Sequence, residues 1–339
     1  MTDQNSIAHR PLAVVTGGSS GIGLELAREL ARLGHDVLIS AENGDELERA
    51  ARELRAAGAQ VETCTADLAR EGGVATLINA AQARSIDVLC VNAGVGLGGP
   101  FLDTPLEREL SMIDLNVRGA VQLAKPVVKT MAARGSGRIL FTSSIAATMP
   151  DPFEAVYGGT KAFLRWFGEG LREELRDTGV TVTVLMPSTT ETNFFRRAGM
   201  MDTRAGTMKK DDPAEVAKQA VAGLMAGKDK VIPTAKNKIM AKVADMLPDT
   251  IAARQHRKLS EPGSAQESEG NGLAVPIAAA AVAGVGLALF AGWRSRQDER
   301  GDGGRVASPQ AGPVMDASSE PATILVVEEE VIVAERALI

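Results

Sequence analysis

The sequence of 339 residues holds two cysteines, three histidines and few aromatic side chains, 3% in all, with a single tyrosine. Each shortage excludes something. Cys64 and Cys90 stand in apolar surroundings with no C-x-x-C, which argues against a disulfide framework and predicts two buried thiols in a reducing compartment. His9, His35 and His256 are scattered, so local spacing assembles no zinc site and no metal is expected. Charge of one sign is also missing from the body. The net charge is −6, and residues 294–339 carry 5 basic and 9 acidic side chains against 32 and 34 elsewhere. A near-neutral body leaves no electrostatic footprint for nucleic acid. The stretch MTDQNSIAHRPLAVV has no positive region followed by a long apolar run, so no signal peptide is read and a cytoplasmic body is expected. What is present is an ordinary globular balance, 45% hydrophobic and 24% charged, with no internal repeats.

Residues 11–260 alternate strand and helix patterns. Pro11–Thr16 is a short apolar run entering a Gly-rich loop, after which Leu24, Ala27, Leu30, Ala31 and Leu33 keep a helical period that stops at Gly34. Val37–Ser40 is a second strand and Asp45–Ala57 a charged amphipathic helix. Val61–Thr65, Val88–Asn92, Arg138–Ser143 and Val180–Met186 are further strand candidates. Such alternation predicts βαβ crossovers: an α/β protein with a Rossmann-type, doubly wound parallel sheet in three α/β/α layers, here over residues 10–260 and followed by a C-terminal extension.

Residues 261–272 read as a polar, flexible linker. No charge occurs from Gly270 to Trp293, and Arg294 and Arg296 follow. Segment 273–293 therefore has two readings: a transmembrane helix anchoring the protein, or a weakly hydrophobic Ala/Gly-rich soluble helix or hinge. Residues 294–339 are expected to be a largely disordered tail. Its last part, 322–339, resembles the opening strand and acidic cluster of response-regulator receiver domains, with Glu329 where that family usually has a metal-binding Asp. It is far shorter than the hundred or so residues such a domain needs, and is read as a fragment without function.

Two motifs carry chemistry. Thr16-Gly17-Gly18-Ser19-Ser20-Gly21-Ile22-Gly23 follows the first strand and opens the first helix, where glycines permit a tight turn and close approach of backbone N–H groups to a pyrophosphate. A Gly-rich turn can equally be only a turn. The second motif is Tyr157-Gly158-Gly159-Thr160-Lys161 near the start of a helical segment running to Arg176. A spacing of four puts phenol and ammonium on one face, where the lysine is expected to favour the phenolate of a general acid/base. Ser144 lies at the carboxyl end of a strand, facing the crevice where open α/β sheets bind ligands.

Together these pieces resemble the short-chain dehydrogenase/reductase family over about residues 10–250. Thr16–Gly23 looks like that family's cofactor loop, Asn92-Ala93-Gly94 like its N-A-G motif, and Asp67-Leu68 like the acidic position at the adenine ring. Asn116, Ser144, Tyr157 and Lys161 fall where the family carries its catalytic four. Singly, each admits a plain role: Asn92 a turn residue, Asp67 a cap, Asn116 a satisfied helix amide. The resemblance implies an NAD(P)-dependent oxidoreductase acting on a secondary alcohol or carbonyl. Tyr157 would exchange the proton and Ser144 hold the carbonyl. Lys161 would bond the nicotinamide ribose and depress the phenol, while Asn116 would keep a relay water. It also implies a homo-oligomer. The alternative class is an idle dinucleotide-binding sensor or scaffold.

Two departures from the family pattern matter. Its P-G motif is Pro187-Ser188 here, followed by Thr189, Thr190 and Thr192, of which Thr192 is expected to bond the carboxamide. The second strand ends Ser40-Ala41-Glu42, with neither the Arg of many NADP users nor the Asp of many NAD users. Glu42 would repel a 2′-phosphate and Ser20 offers no cation, so the lean is to NAD over NADP, with Arg49 the basic group able to reverse it. Residues 189–212 are expected to form a lid, in which Phe194, Phe195, Met200 and Met201 either roof an apolar substrate pocket or pack a surface helix.

Overall fold

A computed structural model describes residues 10–81, 84–234, 237–238 and 247–265. His9, the anchor-or-hinge segment 273–293, the tail 294–339 with its 322–339 fragment, and the linker beyond residue 265 lie outside the described residues. Seven strands, β1 Leu12–Thr16, β2 Asp36–Ala41, β3 Val61–Thr65, β4 Ile86–Val91, β5 Gly137–Thr142, β6 Val180–Leu185 and β7 Lys230–Val231, form one sheet in the order β3-β2-β1-β4-β5-β6-β7. Every pairing is parallel. The order reverses between β1 and β4, which opens a crevice at the carboxyl ends of those strands.

Central strands show why the sheet needs helices on both sides. Along β1, Leu12 and Val14 enter one core and Ala13 and Val15 the other. In β4, Leu89 and Val91 divide from Val88 and Cys90 in the same way. A residue period of two thus serves two apolar layers, and a continuous apolar run results. At the sheet edge, β3 (VETCT) instead buries only Val61 and Cys64 and exposes Glu62 and Thr65.

Helices α1 Gly21–Arg32, α2 Gly44–Ala56 and α9 Pro213–Met225 cover one face, with Leu26, Ala27 and Leu30 of α1 fully buried. Helices α3 Glu71–Ala81, α5 Ala120–Arg134 and α6 Ala155–Glu174 cover the other. Helix α4 Leu106–Ile113 runs into α5 through a π turn at Asp114–Gly119. Short helices α7 Phe194–Arg197 and α8 Arg204–Thr207 follow β6, and α10 Asp249–Ser260 packs on α8.

The six longer strands fall within two residues of their expected bounds; β7, two residues long, has no period to read. Both cysteines are buried, and complete burial pushes the Cys90 thiol up to about 12, which keeps it unreactive near neutral pH. Among the described residues, no helix is long and apolar enough to cross a membrane, and no group of three or more His, Cys, Asp or Glu side chains could hold a metal ion.

Candidate active site

The Gly-rich loop is shaped by its backbone. Gly17 adopts φ +67°, a region that a residue with a Cβ enters at a cost, and a Cβ at Gly23 would fall on the Gly17 carbonyl oxygen. Ser19 and Ile22 are half-buried in the turn. At the head of α1, the Ser20 side chain caps none of the free N–H groups and the first turn holds no acid. Helix α2 is the contrast within the same chain: Asn43 accepts from the Glu46 N–H at 3.0 Å, and Asp45 and Glu46 sit in its first turn. One helix start is internally satisfied and the other is open to an anion.

Thr16 Oγ1 accepts from the backbone N–H groups of Asn92 and Ala93, each at 2.9 Å. The Asn92 side chain donates to the Thr16 carbonyl at 3.1 Å and accepts from Thr142 Oγ1 at 3.1 Å, so one amide fastens β1, β4 and β5 at their carboxyl ends. Ser40, at the end of β2, is fully buried with no hydrogen-bond partner for its hydroxyl. Its carbonyl accepts from Gly18 N–H at 3.1 Å.

Tyr157 lies in the first turn of α6, nearly buried, with the Ser144 side chain close enough to favour its phenolate. Ser144 follows β5 and caps the short turn Ile145–Thr148, accepting from Ala146 N–H at 3.1 Å. Lys161, one helical turn after Tyr157, donates from Nζ to the Thr142 carbonyl at 2.9 Å. A Cβ at Gly94 would lie 3.1 Å from both Lys161 Nζ and Asn116 Oδ1. Asn116, in the π turn, accepts from Val95 N–H at 3.0 Å and donates to the Val95 carbonyl at 2.9 Å and to Thr160 Oγ1 at 3.0 Å. A π turn at such a position re-aims one side chain without ending the helix.

The electrostatics correct one expectation. Lys161 does not pull the phenol down in this structure: its Nζ is 5.7 Å from the Tyr157 ring centroid and engaged with Thr142. Burial, then the charge of Glu154, hold Tyr157 above its ordinary value, against the Ser144 hydrogen bond. Burial also lowers Lys161 to about 8.

Thr192 lies against the Gly-rich loop, its methyl 2.8 Å from where a Gly21 Cβ would be, and accepts from Phe194 N–H at 3.2 Å. With Ser20, Gly21, Arg196 and Lys210 it lines a cavity of about 320 Å³. Ser188 needs no glycine, because among the described residues only Phe153 and Thr234 are non-glycines at positive φ. The four lid side chains divide. Phe194 packs at 5.2 Å on the Tyr157 ring, Phe195 and Met200 are buried in a small cluster with Leu259, and Met201 is exposed. Asp67 accepts from Ala69 N–H at 3.0 Å and pairs with Arg70, while Leu68 is buried.

Sequence reasoning missed two buried carboxyls just before α6, Asp151 and Glu154, and the half-buried His256 whose Nδ1 lies 2.8 Å from Asp151 Oδ1. The only trace was the spacing of four between His256 and Ser260, which says nothing of what they face.

A family model described as short chain dehydrogenase matches residues 11–202. A 1-deoxy-11-beta-hydroxypentalenate dehydrogenase of Streptomyces exfoliatus is 40% identical over 185 residues, 53% of this chain and 67% of that protein. An uncharacterized oxidoreductase of Myxococcus xanthus is 37% identical over 198 residues, 56% of this chain and 78% of the other. Among solved structures, a short-chain dehydrogenase from Sphingobium yanoikuyae in complex with NADPH superposes with a TM-score of 0.64 at 30% identity, covering 72% of this chain and 93% of that one.

Proposed function

Because the chain belongs to the short-chain dehydrogenase family of NAD(P)-dependent oxidoreductases, we propose that it moves a hydride between a nicotinamide dinucleotide and a secondary alcohol or the matching carbonyl. The observation that carries the reading is the meeting of Ser144, Tyr157 and Lys161 at the sheet's carboxyl edge, beside a Gly-rich loop whose helix start is uncapped. The groups present fit a dinucleotide: free N–H donors at α1, the unpartnered Ser40 hydroxyl at the end of β2, and a cradle at Gly94 that a Cβ would fill.

When bound, the dinucleotide supplies or accepts the hydride. Tyr157 gives its hydroxyl proton to the substrate oxygen, or takes one, and Ser144 holds that oxygen by a hydrogen bond. Lys161 brings a cation to the buried site and bonds the ribose. Asn116 locks the loop at Val95 to α6, and Thr192 meets the carboxamide. Asp67 and Leu68 border the adenine.

Glu42, exposed just beyond β2, sets the cofactor preference by repelling a 2′-phosphate. Calorimetric titration of the full chain is therefore expected to give tighter binding of NADH than of NADPH. Tighter NADPH, the ligand of the Sphingobium structure, overturns the Glu42 argument. No binding of either overturns the cofactor site. Binding without turnover on any carbonyl substrate would instead support a sensor.

The same reading includes self-association. Leu106, Leu110 and Ile113 make an exposed stripe on α4, next to exposed Phe163 and Trp166 on α6, which α4 contacts. Sedimentation is expected to show an oligomer that Leu106→Glu with Leu110→Glu splits into smaller species. A monomeric parent chain removes this part of the proposal.

A further inference from the structure

One ion pair joins two parts of the chain that the sheet holds well apart. Arg197 Nη2 on α7 donates to Glu46 Oε2, in the first turn of α2, at 2.9 Å. Helix α2 begins after β2, and α7 after β6. In the order β2-β1-β4-β5-β6 those two strands are four spacings apart, about 19 Å. No arginine side chain spans that gap. The chain after β6 therefore leans back across the carboxyl ends of the strands for the pair to form.

Other contacts fix where it crosses. Gly98 N–H, beyond β4, donates to the Ala198 carbonyl at 2.9 Å, and Arg108 of α4 donates to the Arg197 carbonyl at 3.4 Å. A Cβ at Gly96 would fall 2.4 Å from the Phe194 ring. Phe195 and Arg196 share the cavity at the head of α1 with Ser20 and Gly21. Helix α7 thus roofs the crevice between the Gly-rich loop and the end of β4, and Arg197 closes that roof onto α2. The later part of the lid is held from another side: Asp202 Oδ2 accepts from Gly263 N–H, and Ser264 Oγ from Arg204 N–H, each at 3.0 Å.

We propose that Glu46 and Arg197 form a latch across the mouth of the crevice, which parts before a dinucleotide leaves. The proposal rests on the cofactor reading above: a dinucleotide reaching from the end of β2 to Tyr157 lies beneath this pair. The contact suits a latch. Its side chains are 31% and 50% exposed, so water screens the pair and it opens at small cost. Glu46 also leaves the start of α2 intact when its charge is removed, because Asn43 accepts from its backbone N–H and not from its side chain.

Amide hydrogen exchange over residues 194–198, read by mass spectrometry, follows the opening of α7 with no ligand needed. Glu46→Gln keeps the side-chain length and loses the charge. Exchange in this variant is expected to run about two- to five-fold faster than in the parent full-length chain. Glu48, on the same helix, bonds to Arg55 and Thr63 rather than to the lid, so Glu48→Gln is expected to match the parent. Unchanged exchange in Glu46→Gln overturns the latch. So does an equal acceleration in Glu48→Gln, which would make the effect one of α2 as a whole.

The second arm follows NADH dissociation by stopped-flow fluorescence, with excess NAD as the chase. The rate is expected to rise by a similar factor in Glu46→Gln and in Arg197→Gln. It should rise no further in the double variant, because either change alone breaks the one contact. Acceleration in Arg197→Gln alone would place that guanidinium on the ligand and overturn the latch. Faster exchange with unchanged NADH dissociation in Glu46→Gln also overturns it. Failure of the parent chain to bind NADH defeats the cofactor reading instead, and exchange then decides whether the pair holds α7 down.

Discussion

Tyr157→Phe is expected to lower turnover by about 10²–10⁴-fold while leaving NADH affinity within a few-fold. The substitution removes one oxygen from a nearly buried ring and leaves the ring's contact with Phe194 at 5.2 Å intact. Ser144 keeps its bond from Ala146 N–H, so the turn after β5 keeps its shape. What disappears is the group that moves a proton to or from the substrate oxygen. Normal turnover in the variant, on any substrate the parent chain accepts, would remove Tyr157 from the mechanism. A large loss of NADH affinity would mean that the phenol supports binding rather than proton transfer.

Lys161→Met is expected to lower turnover at least as far and to weaken NADH binding, yet to raise thermal stability at neutral pH. The side chain is 4% exposed, and its single hydrogen bond goes to the Thr142 carbonyl, with no acid paired to it. Burial lowers its ionisation to about 8 from an ordinary 10.5. The sign follows from linkage. Between those two values the unfolded chain binds more protons than the folded one, so stability climbs with pH. Below about 8 the full penalty of a buried cation remains. Methionine of similar length escapes that penalty, for a gain of order 1–3 kcal/mol at pH 7 that vanishes above the ordinary lysine value. Melting temperatures of the two proteins across pH decide it: a variant less stable at pH 7 would show that the Thr142 bond outweighs burial.

Most of the fold was legible because its elements announce themselves locally. The strand Leu12–Thr16, followed by a loop with Gly17, Gly21 and Gly23 and then an apolar helical period, marks a βα unit with little competition from other structures. Tyr157 and Lys161 were legible as a pair because helix spacing puts them on one face, and Ser144 because a strand ends just before it. The Asp151–His256 pair was not, because the two are far apart in sequence and charged residues belong on the surface unless something pairs them. The acidity of Tyr157 was misjudged for a related reason. Spacing shows that a lysine is near, but burial and a second carboxyl are properties of the packed structure, and here they prevail. Within the lid, composition left two fates open for all four apolar residues together, a pocket roof or a packed surface helix, whereas packing gave Phe194 to the reaction site and Met200 to a separate core.

The π turn at Asp114–Gly119 has a consequence beyond aiming Asn116. One additional residue in a helix advances everything after it by about 100°. Leu106, Leu110 and Ile113 on α4 look outward, while Leu123, Ala124, Val127 and Met131 on α5 look into the core. The angular phase between these stripes is therefore governed by a backbone insertion rather than by side-chain choice. A one-residue deletion anywhere along 114–119 would wind the two helices into a single regular rod, turning the outward stripe of α4 and the Asn116 amide away from their present directions together.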